Sequence, residues 1–262
     1  MEALANDPIH QFHIENWLPL QVGGYDVSFT TASAAMVAAV GGAALFMTWA
    51  MKPAALTPGR AQVAAESLYG FIRNMVQDAT GAEGVRRFFP FVFTLFMFIF
   101  AANLLGMFPY FFTPTSQIVI TATMALIVFV SVIVLGFAKN GLKFFKLFFP
   151  SGIPWPLYFV VTPIEILSFF SRPLSHSVRL WANILAGHLV LKVFAGFVPQ
   201  ILDFSHQMTN PALGALAMVG SLLPLVMTVA LFALEFLVAF LQAYVFAMLT
   251  CVYLNDALHP GH

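Results

Sequence analysis

Charge is what this chain has least of. Only 8% of its 262 residues are Asp, Glu, Lys or Arg, against about 25% in an ordinary soluble domain. Such a shortage excludes a solvated globular surface, and the zero net charge leaves a nucleic-acid partner without electrostatic support. Cysteine is nearly absent. The single Cys251 excludes an intrachain disulfide and a Cys-cluster metal site, and reads as inert apolar filler. There is no phosphate loop and no nucleophile elbow, so the chain is not expected to be catalytic on its own, and no cofactor is implied. Residues 1–51 contain no Lys or Arg. The N-terminal MEALANDPIHQFHIENWLPL lacks the basic and apolar regions of a signal peptide. Trp17 and the prolines there suggest a short interfacial segment. His10 and His13 have metal-ligand spacing but no third ligand nearby, and read as surface histidines.

What the chain does have is apolar bulk. Hydrophobic residues make up 60% of it and Phe alone occurs 30 times; the mean hydropathy is +0.89. The apolar runs are continuous and far longer than the roughly 10-residue alternating segments of a membrane barrel. The expected class is an all-α polytopic membrane protein. Five stretches stand out: about 29–51, 88–112, 116–138, 155–198 and 212–254. The last two are too long for simple spans, so each either breaks or runs as a long tilted helix. Pro163, Pro173 and Pro224 permit kinks. Between the first two stretches, residues 53–87 mix charges with Val63, Leu68, Phe71, Ile72, Met75 and Val76, which predicts an amphipathic helix on the membrane surface.

Basic residues orient the chain. Lys52, Arg60, Arg73, Arg86 and Arg87 lie in one loop, and Lys139, Lys143 and Lys146 in another. The 113–116 turn, the 199–211 loop and the tail after Leu254 hold no Lys or Arg. By the positive-inside rule both basic loops are cytoplasmic, which puts the N-terminus outside and, after five crossings, the C-terminus inside. No internal repeat or linker is evident, and one integrated membrane domain is expected: an outer segment at 1–28, the amphipathic segment at 53–87 and a helical hairpin at 155–254.

Arg179 stands out against this background. An arginine at bilayer depth costs about 2.5–3.5 kcal/mol on insertion scales, and neither Asp nor Glu lies close to it in sequence. On one helix, Glu165, Arg172, His176, Arg179 and Asn183 fall within an arc roughly 60° wide, with Ser175 and Ala186 on the same side. A row of ionisable groups on one face reads as an ion or proton pathway; a packed interface of small residues such as Ser175, Ala182 and Ala186 would also produce it. His188 and Lys192 form a pair on the opposite face. Lys192 can snorkel outward and is given no chemical role.

The last stretch carries one acid at depth, Glu235, with Gln242 on the same face. In an antiparallel hairpin the numbers of facing residues have a nearly constant sum. Arg179 with Gln242 and His188 with Glu235 agree in that sum to within two residues, for a turn near Pro211. Asp203, Ser205 and Asn210 suit that turn. Two readings of the His188–Glu235 pair remain, a proton relay or an ion pair that fixes the hairpin. On a straight helix Arg179 and His188 face opposite ways, so a pathway using both must wrap around the hairpin.

The segments SRPLSHSVRLWANILAGHLVL and LEFLVAFLQAYVFAMLTCVYL resemble subunit a of the rotary F-type ATP synthases. PFVFTLFMFIFAANLLGMFP, with Asn103, and TPTSQIVITATMAL extend the likeness over most of the chain. The resemblance implies a proton-translocating stator subunit in the membrane sector. Arg179 would be the essential arginine, meeting the carboxylates of a ring of c subunits in turn. Asn183 and Gln242 would flank it; Glu165, Ser175, His188 and Glu235 fall where the family has polar channel residues, and His176 shares the pathway face. The His188–Glu235 order is that of mitochondrial subunits, exchanged relative to the enterobacterial form. Gly106 is acidic in some relatives, and no role carries over to it. Implied partners are the c ring, peripheral-stalk b subunits, the rest of the complex and the lipid bilayer, in a bacterial inner membrane, with H+ as the translocated ion. The rival classes are a self-contained ion transporter, which would show inverted repeats, and a structural scaffold, which would not need Arg179.

Overall fold

The computed structural model describes residues 13–19, 21–22, 25–26, 28–52, 58–108, 111–149, 157–208 and 210–258; His10 lies outside them. Four short strands come first: β1 (Asn16–Leu18), β2 (Gln21–Val22), β3 (Tyr25–Asp26) and β4 (Phe29–Thr30). β1 pairs antiparallel with β4, and β2 with β3. They hold the segment expected to be interfacial, and Trp17 and Leu18 are exposed on it. Among the described residues after Thr30 the regular elements are all helical, because a segment in hydrocarbon must satisfy its backbone internally. Among those residues five helices are long and apolar enough to cross a membrane: Thr31–Ala50, Gly84–Gly106, Ile118–Phe145, Tyr158–Gln207 and Ala212–Leu258. They match the five expected stretches, and the chain is an integral membrane protein.

α1 (Thr31–Ala50) is capped by Thr30, whose hydroxyl accepts from the Ser33 amide at 3.3 Å. Its 20 residues span about 30 Å, one hydrocarbon thickness. The side that packs in is made of small residues, Ala32, Ala35 and Ala39, which let α2 approach closely.

α2 (Arg60–Gly106) joins the expected surface helix to the second crossing. The two parts meet at Gly81, whose φ of 73° and ψ of 178° are non-helical. That backbone conformation is essentially restricted to glycine, so Gly81 permits the change of direction. The 60–80 part is more than a surface helix. Ala65, Ile72 and Val76 are fully buried, and the Phe71 ring lies 5.8 Å from Phe240 and 5.4 Å from Tyr244 on the last helix. Val63 stays exposed. The periodicity found the amphipathic helix correctly, but half of its apolar face meets protein.

A 3-10 turn, Pro114–Ser116, leads into α3 (Ile118–Asn140), and a second, Gly141–Phe148, follows it. Phe169 of the next helix is enclosed by Phe129, Phe144 and Phe148. Packing of this kind replaces the hydrophobic effect, which does not operate between helices in lipid.

α4 (Tyr158–Gln207) is unbroken over 50 residues despite Pro163, Pro173 and Pro199; at about 75 Å it is far longer than the bilayer is thick. The fifth stretch is locally irregular at Ser221, between α5 (Pro211–Gly220) and α6 (Leu222–Leu258), but Ser221 keeps right-handed helical angles and its amide bonds the Ala217 carbonyl at 3.0 Å. The hairpin turn is tighter than the sequence indicated. Asp203 and Ser205 lie inside α4, and the Ser205 hydroxyl is absorbed by the Leu202 carbonyl. Asn210 caps α5 by accepting from the Ala212 amide at 3.0 Å. On α6, Ala239, Ala243, Ala247 and Cys251 are buried at every fourth position, none more than 1% exposed. This narrow stripe brings the backbones of its neighbours close, and Cys251 is filler within it.

Gly81→Ala is expected to lower stability by about 1–3 kcal/mol through backbone strain alone, since no atom lies within 4 Å of the added Cβ. Gly70→Ala, equally unobstructed but in regular helix, should be neutral or slightly stabilising. Thermal unfolding of the purified protein in detergent separates the two.

Candidate functional site

The contact line along α4 is helical, not straight. His176, Leu180, Ile184 and His188 are 4%, 1%, 2% and 6% exposed, spaced four residues apart. On a helix with about 100° per residue each such step turns the line by about 40°. The buried seam therefore winds part-way around α4 between His176 and His188. That resolves the opposition of Arg179 and His188: α6 passes across α4 obliquely and covers a different side at each depth.

At one end of the seam, His188 Nδ1 lies 2.7 Å from Glu235 Oε1, with side chains 7% and 6% exposed. That oxygen has no other hydrogen-bond partner among the described residues. Nε2 of the same ring is 3.2 Å from Thr113 Oγ1. Gly187 makes room for the acid, since a Cβ there would sit 3.3 Å from Glu235 Oε1.

A buried polar network holds Thr113 in place. Ser116 Oγ donates to the Thr113 carbonyl at 2.7 Å. Thr115 Oγ1 donates to Asn103 Oδ1 at 2.6 Å, and Asn103 Nδ2 donates to the Ala239 carbonyl at 3.2 Å. Thr113, Thr115, Ser116 and Asn103 are all buried. The turn between the second and third crossings thus reaches into the hairpin, although by sequence it was only a short neutral link. Its one signal was a run of hydroxyl residues, Thr113, Thr115 and Ser116, flanked by apolar helices. Gly106 abuts this turn, and a Cβ on it would collide with the Thr113 side chain.

Arg179 lies beside the seam, not in it. Ser175, Arg179, Asn183 and Ala186 are exposed on the outer side of α4. Among the described residues Arg179 has no ion-pair or hydrogen-bond partner. It lines a small cavity with Gln242, Leu180 and Phe246, so the register that placed Gln242 near Arg179 holds, as does the one that placed Glu235 on His188.

The single polar stripe does not hold as one face. Arg179 and Asn183 look outward, His176 is buried, and Arg172 Nη1 turns to Asp256 Oδ2 at 2.9 Å. Glu165 is half-buried. A narrow arc computed for a straight helix cannot show this, because the winding seam covers the arc at residue 176 and uncovers it at 179 and 183. Asp256 carries no signal in the sequence, because the tail after Leu254 holds no Lys or Arg to mark it as one half of a charge pair. The hairpin register points Arg172 to residues near 250, and its long side chain reaches more than a turn further. Lys192 is half-buried. Among the described residues no group of three or more His, Cys, Asp or Glu could hold a metal ion.

Long apolar helices, a buried acid–imidazole pair and an outward-facing guanidinium within one of the long apolar helices define a polytopic membrane protein with ionisable groups on its membrane helices. The family profile described as "ATP synthase A chain" matches residues 31–255. The chain is 56% identical over 262 residues to a protein of Mesorhizobium japonicum named ATP synthase subunit a, covering 100% of both. It is 57% identical to the protein of that name from Allorhizobium ampelinum, over 98% of this chain and 99% of the relative. It is also 56% identical to that of Parvibaculum lavamentivorans, over 98% and 95%. This chain belongs to the ATP synthase A chain family.

Thr113→Val keeps the shape beside His188 and removes the hydroxyl. Losing that buried hydrogen bond should cost about 0.5–1.5 kcal/mol, read as a lower unfolding midpoint, whereas Thr123→Val, whose exposed hydroxyl bonds only the Val119 carbonyl, should stay near wild type.

Proposed function

We propose that this chain is the proton-translocating stator subunit a of an F-type ATP synthase, and that it couples proton flow to rotation of a c-subunit ring without performing chemistry on ATP itself. The observation that carries this reading is the contrast between two charges on one hairpin. Glu235 is buried and engaged by His188 at 2.7 Å, whereas Arg179 is exposed on the outer side with no ion-pair partner among the described residues. A cation retained at membrane depth on an outward face has its counter-charge on another subunit, and a ring of carboxylates passing that face supplies one repeatedly.

The mechanism follows from this placement. A proton enters from the outer side past His188 and Glu235 and neutralises a ring carboxylate. In the neutral form that carboxyl tolerates lipid, and the ring turns; a charged one could not leave the interface at acceptable cost. After nearly a full turn the carboxyl meets the second aqueous half-channel, loses its proton towards Glu165, Ser175 and His176, and faces Arg179 again as an anion. Arg179 favours the ionised carboxylate by direct attraction and separates the two half-channels, so protons cannot pass without rotation. Asn183 and Gln242 border the arginine and complete the contact surface. The membrane potential supplies about 2.3 kcal/mol per charge per 100 mV. An imidazole beside a carboxylate can take up and release protons near neutral pH, which supports H+ as the coupling ion.

The exposed face of Ser175, Arg179, Asn183 and Ala186 is the surface offered to the c ring, and the length of α4 lets it lie across several ring helices. Peripheral-stalk b subunits and the remainder of the complex hold the chain against rotation. The chain acts as one integrated unit in a bacterial inner membrane. Its N-terminal 1–28 segment lies outside, its basic 53–87 segment on the cytoplasmic side, its 155–254 hairpin on the ring, and its C-terminus inside.

Arg179→Ala should leave the complex assembled and abolish ATP-driven proton pumping, measured as acidification of inverted vesicles by a fluorescent pH probe. An assembled Arg179→Ala complex that still pumps sinks this reading. Exchanging the pair, His188→Glu with Glu235→His, should retain more pumping than either single substitution, because the exchange keeps one acid and one imidazole in contact.

A further inference from the structure

His176 is the imidazole that the seam buries with the least support. It is 4% exposed; the Phe246 backbone carbonyl is its one polar neighbour close by, and neither Nδ1 nor Nε2 makes a well-aligned hydrogen bond among the described residues. Burying an imidazole so poorly satisfied is costly, so a side chain that only filled space here would be better made of carbon. The ring is held edge-on against Phe246, with centroids 3.8 Å apart, and lies 5.8 Å from the Tyr253 ring.

Two small cavities meet at this imidazole. One is lined by Arg179, Gln242 and Phe246, the other by Arg172, Phe169 and Tyr253, and His176 is the residue common to both. Each leaves about 10 Å³, which is room for a single water. Beyond the second cavity stands the Arg172–Asp256 pair, 24% and 33% exposed, and Asp256 is two residues from the end of α6. Arg172 and Arg179 are about 10 Å apart along α4. The ionisable groups around the imidazole are therefore Arg172 and Arg179 on its own helix, and Tyr253 with Asp256 on α6. α3 contributes only apolar wall, Ala125, Val128 and Val132.

We propose that His176 is a proton relay joining the Arg179 chamber to the Arg172–Asp256 mouth, and that protons leave by passing through its ring and not around it. This rests on the stator reading above. A neutral imidazole has one N–H and one lone-pair nitrogen. A proton from the water on the Arg179 side bonds to the lone-pair nitrogen, while the N–H on the other nitrogen breaks and its proton passes to the water beside Arg172. The ring is neutral again as the other tautomer, and rotation of the ring about its Cβ–Cγ bond turns the lone pair back towards the Arg179 side and the N–H towards Arg172, ready for the next proton. No oxidant or second reactant is needed. The two water spaces stay separate because the ring and Phe246 fill the gap between them, so the relay passes protons and stops larger ions.

The test is passive proton conductance of the complete membrane sector, reconstituted in vesicles and driven by a potassium diffusion potential, with retention of the c ring measured as assembly. His176→Phe keeps a planar ring and should lower conductance by roughly 100-fold, the lower end of what a positioned proton-transfer group contributes. His176→Gln can hydrogen-bond a water on each side but has no lone-pair nitrogen to take a proton. It should also be slow, and should lose the wild-type dependence of conductance on pH. The proposal is overturned if assembled His176→Phe conducts within about twofold of wild type. It is equally overturned if His176→Gln conducts normally with an unchanged pH profile, which covers the case in which the Phe variant fails to assemble. Arg179→Ala and Glu235→Gln run alongside keep the two levels apart. If these alter coupling or conductance while His176 variants behave as wild type, the relay falls and the stator reading stands; if none of the four has any effect, both fall.

Discussion

α4 and α6 touch along a row of residues four apart, and that row winds. Side chains at every fourth position form a ridge inclined to the helix axis, so two helices packed on such a ridge cross obliquely. Everything distinctive about the ionisable groups depends on this geometry. His188 is sealed against Glu235 because the seam has reached its side of α4 by residue 188. Arg179 is open because the seam lies to one side of it, and His176 is buried because the seam starts there. A straight parallel contact would have buried the whole stripe or none of it. Small residues on α6 make the seam possible: Ala239, Ala243, Ala247 and Cys251 leave no bulk between the backbones.

Burial is then apportioned by depth and by side. The acid that stays within the chain is given an imidazole, a hydroxyl-rich turn behind that imidazole, and a glycine in front of the carboxylate. The cation Arg179 has no ion-pair or hydrogen-bond partner among the described residues and an open face lined with Ser175, Asn183 and Ala186. The pair near the helix end, Arg172 with Asp256, is part-exposed, where its contribution to stability is small. Three charged groups on one hairpin thus sit in three different environments.

Much of this was legible in the sequence. Continuous apolar runs fix helix number in a membrane because no other regular structure satisfies the backbone there, and all five stretches correspond to helices. The near-constant sum for antiparallel neighbours found His188 with Glu235 and Arg179 beside Gln242, since a two-helix hairpin has a single sliding freedom. What remained hidden was rotation about the helix axis. The arc that joined Glu165, Arg172, His176, Arg179 and Asn183 is real as an angle, but which part of it is covered depends on the crossing of α6, and nothing local to α4 encodes that. Thr113 was hidden for another reason. A hydroxyl in a short link carries no periodic signal, and its contact with His188 spans 75 positions. Asp203 and Ser205 look like turn residues in water but lie inside α4, where the serine hydroxyl simply bonds the carbonyl three residues back.

Gly106 and Thr113 occupy one volume between them. The threonine side chain fills the space that any Cβ at 106 would take, and it does so while touching the ring that holds Glu235. The two positions therefore behave as a single site with two possible owners. A chain with a larger group at 106 must give up the threonine rotamer at 113, and with it the hydroxyl support of the imidazole. In such a chain the group arriving from α2 would become the neighbour of residue 188. The neighbours available to residue 188 are in that sense set jointly by a helix end and the turn that follows it.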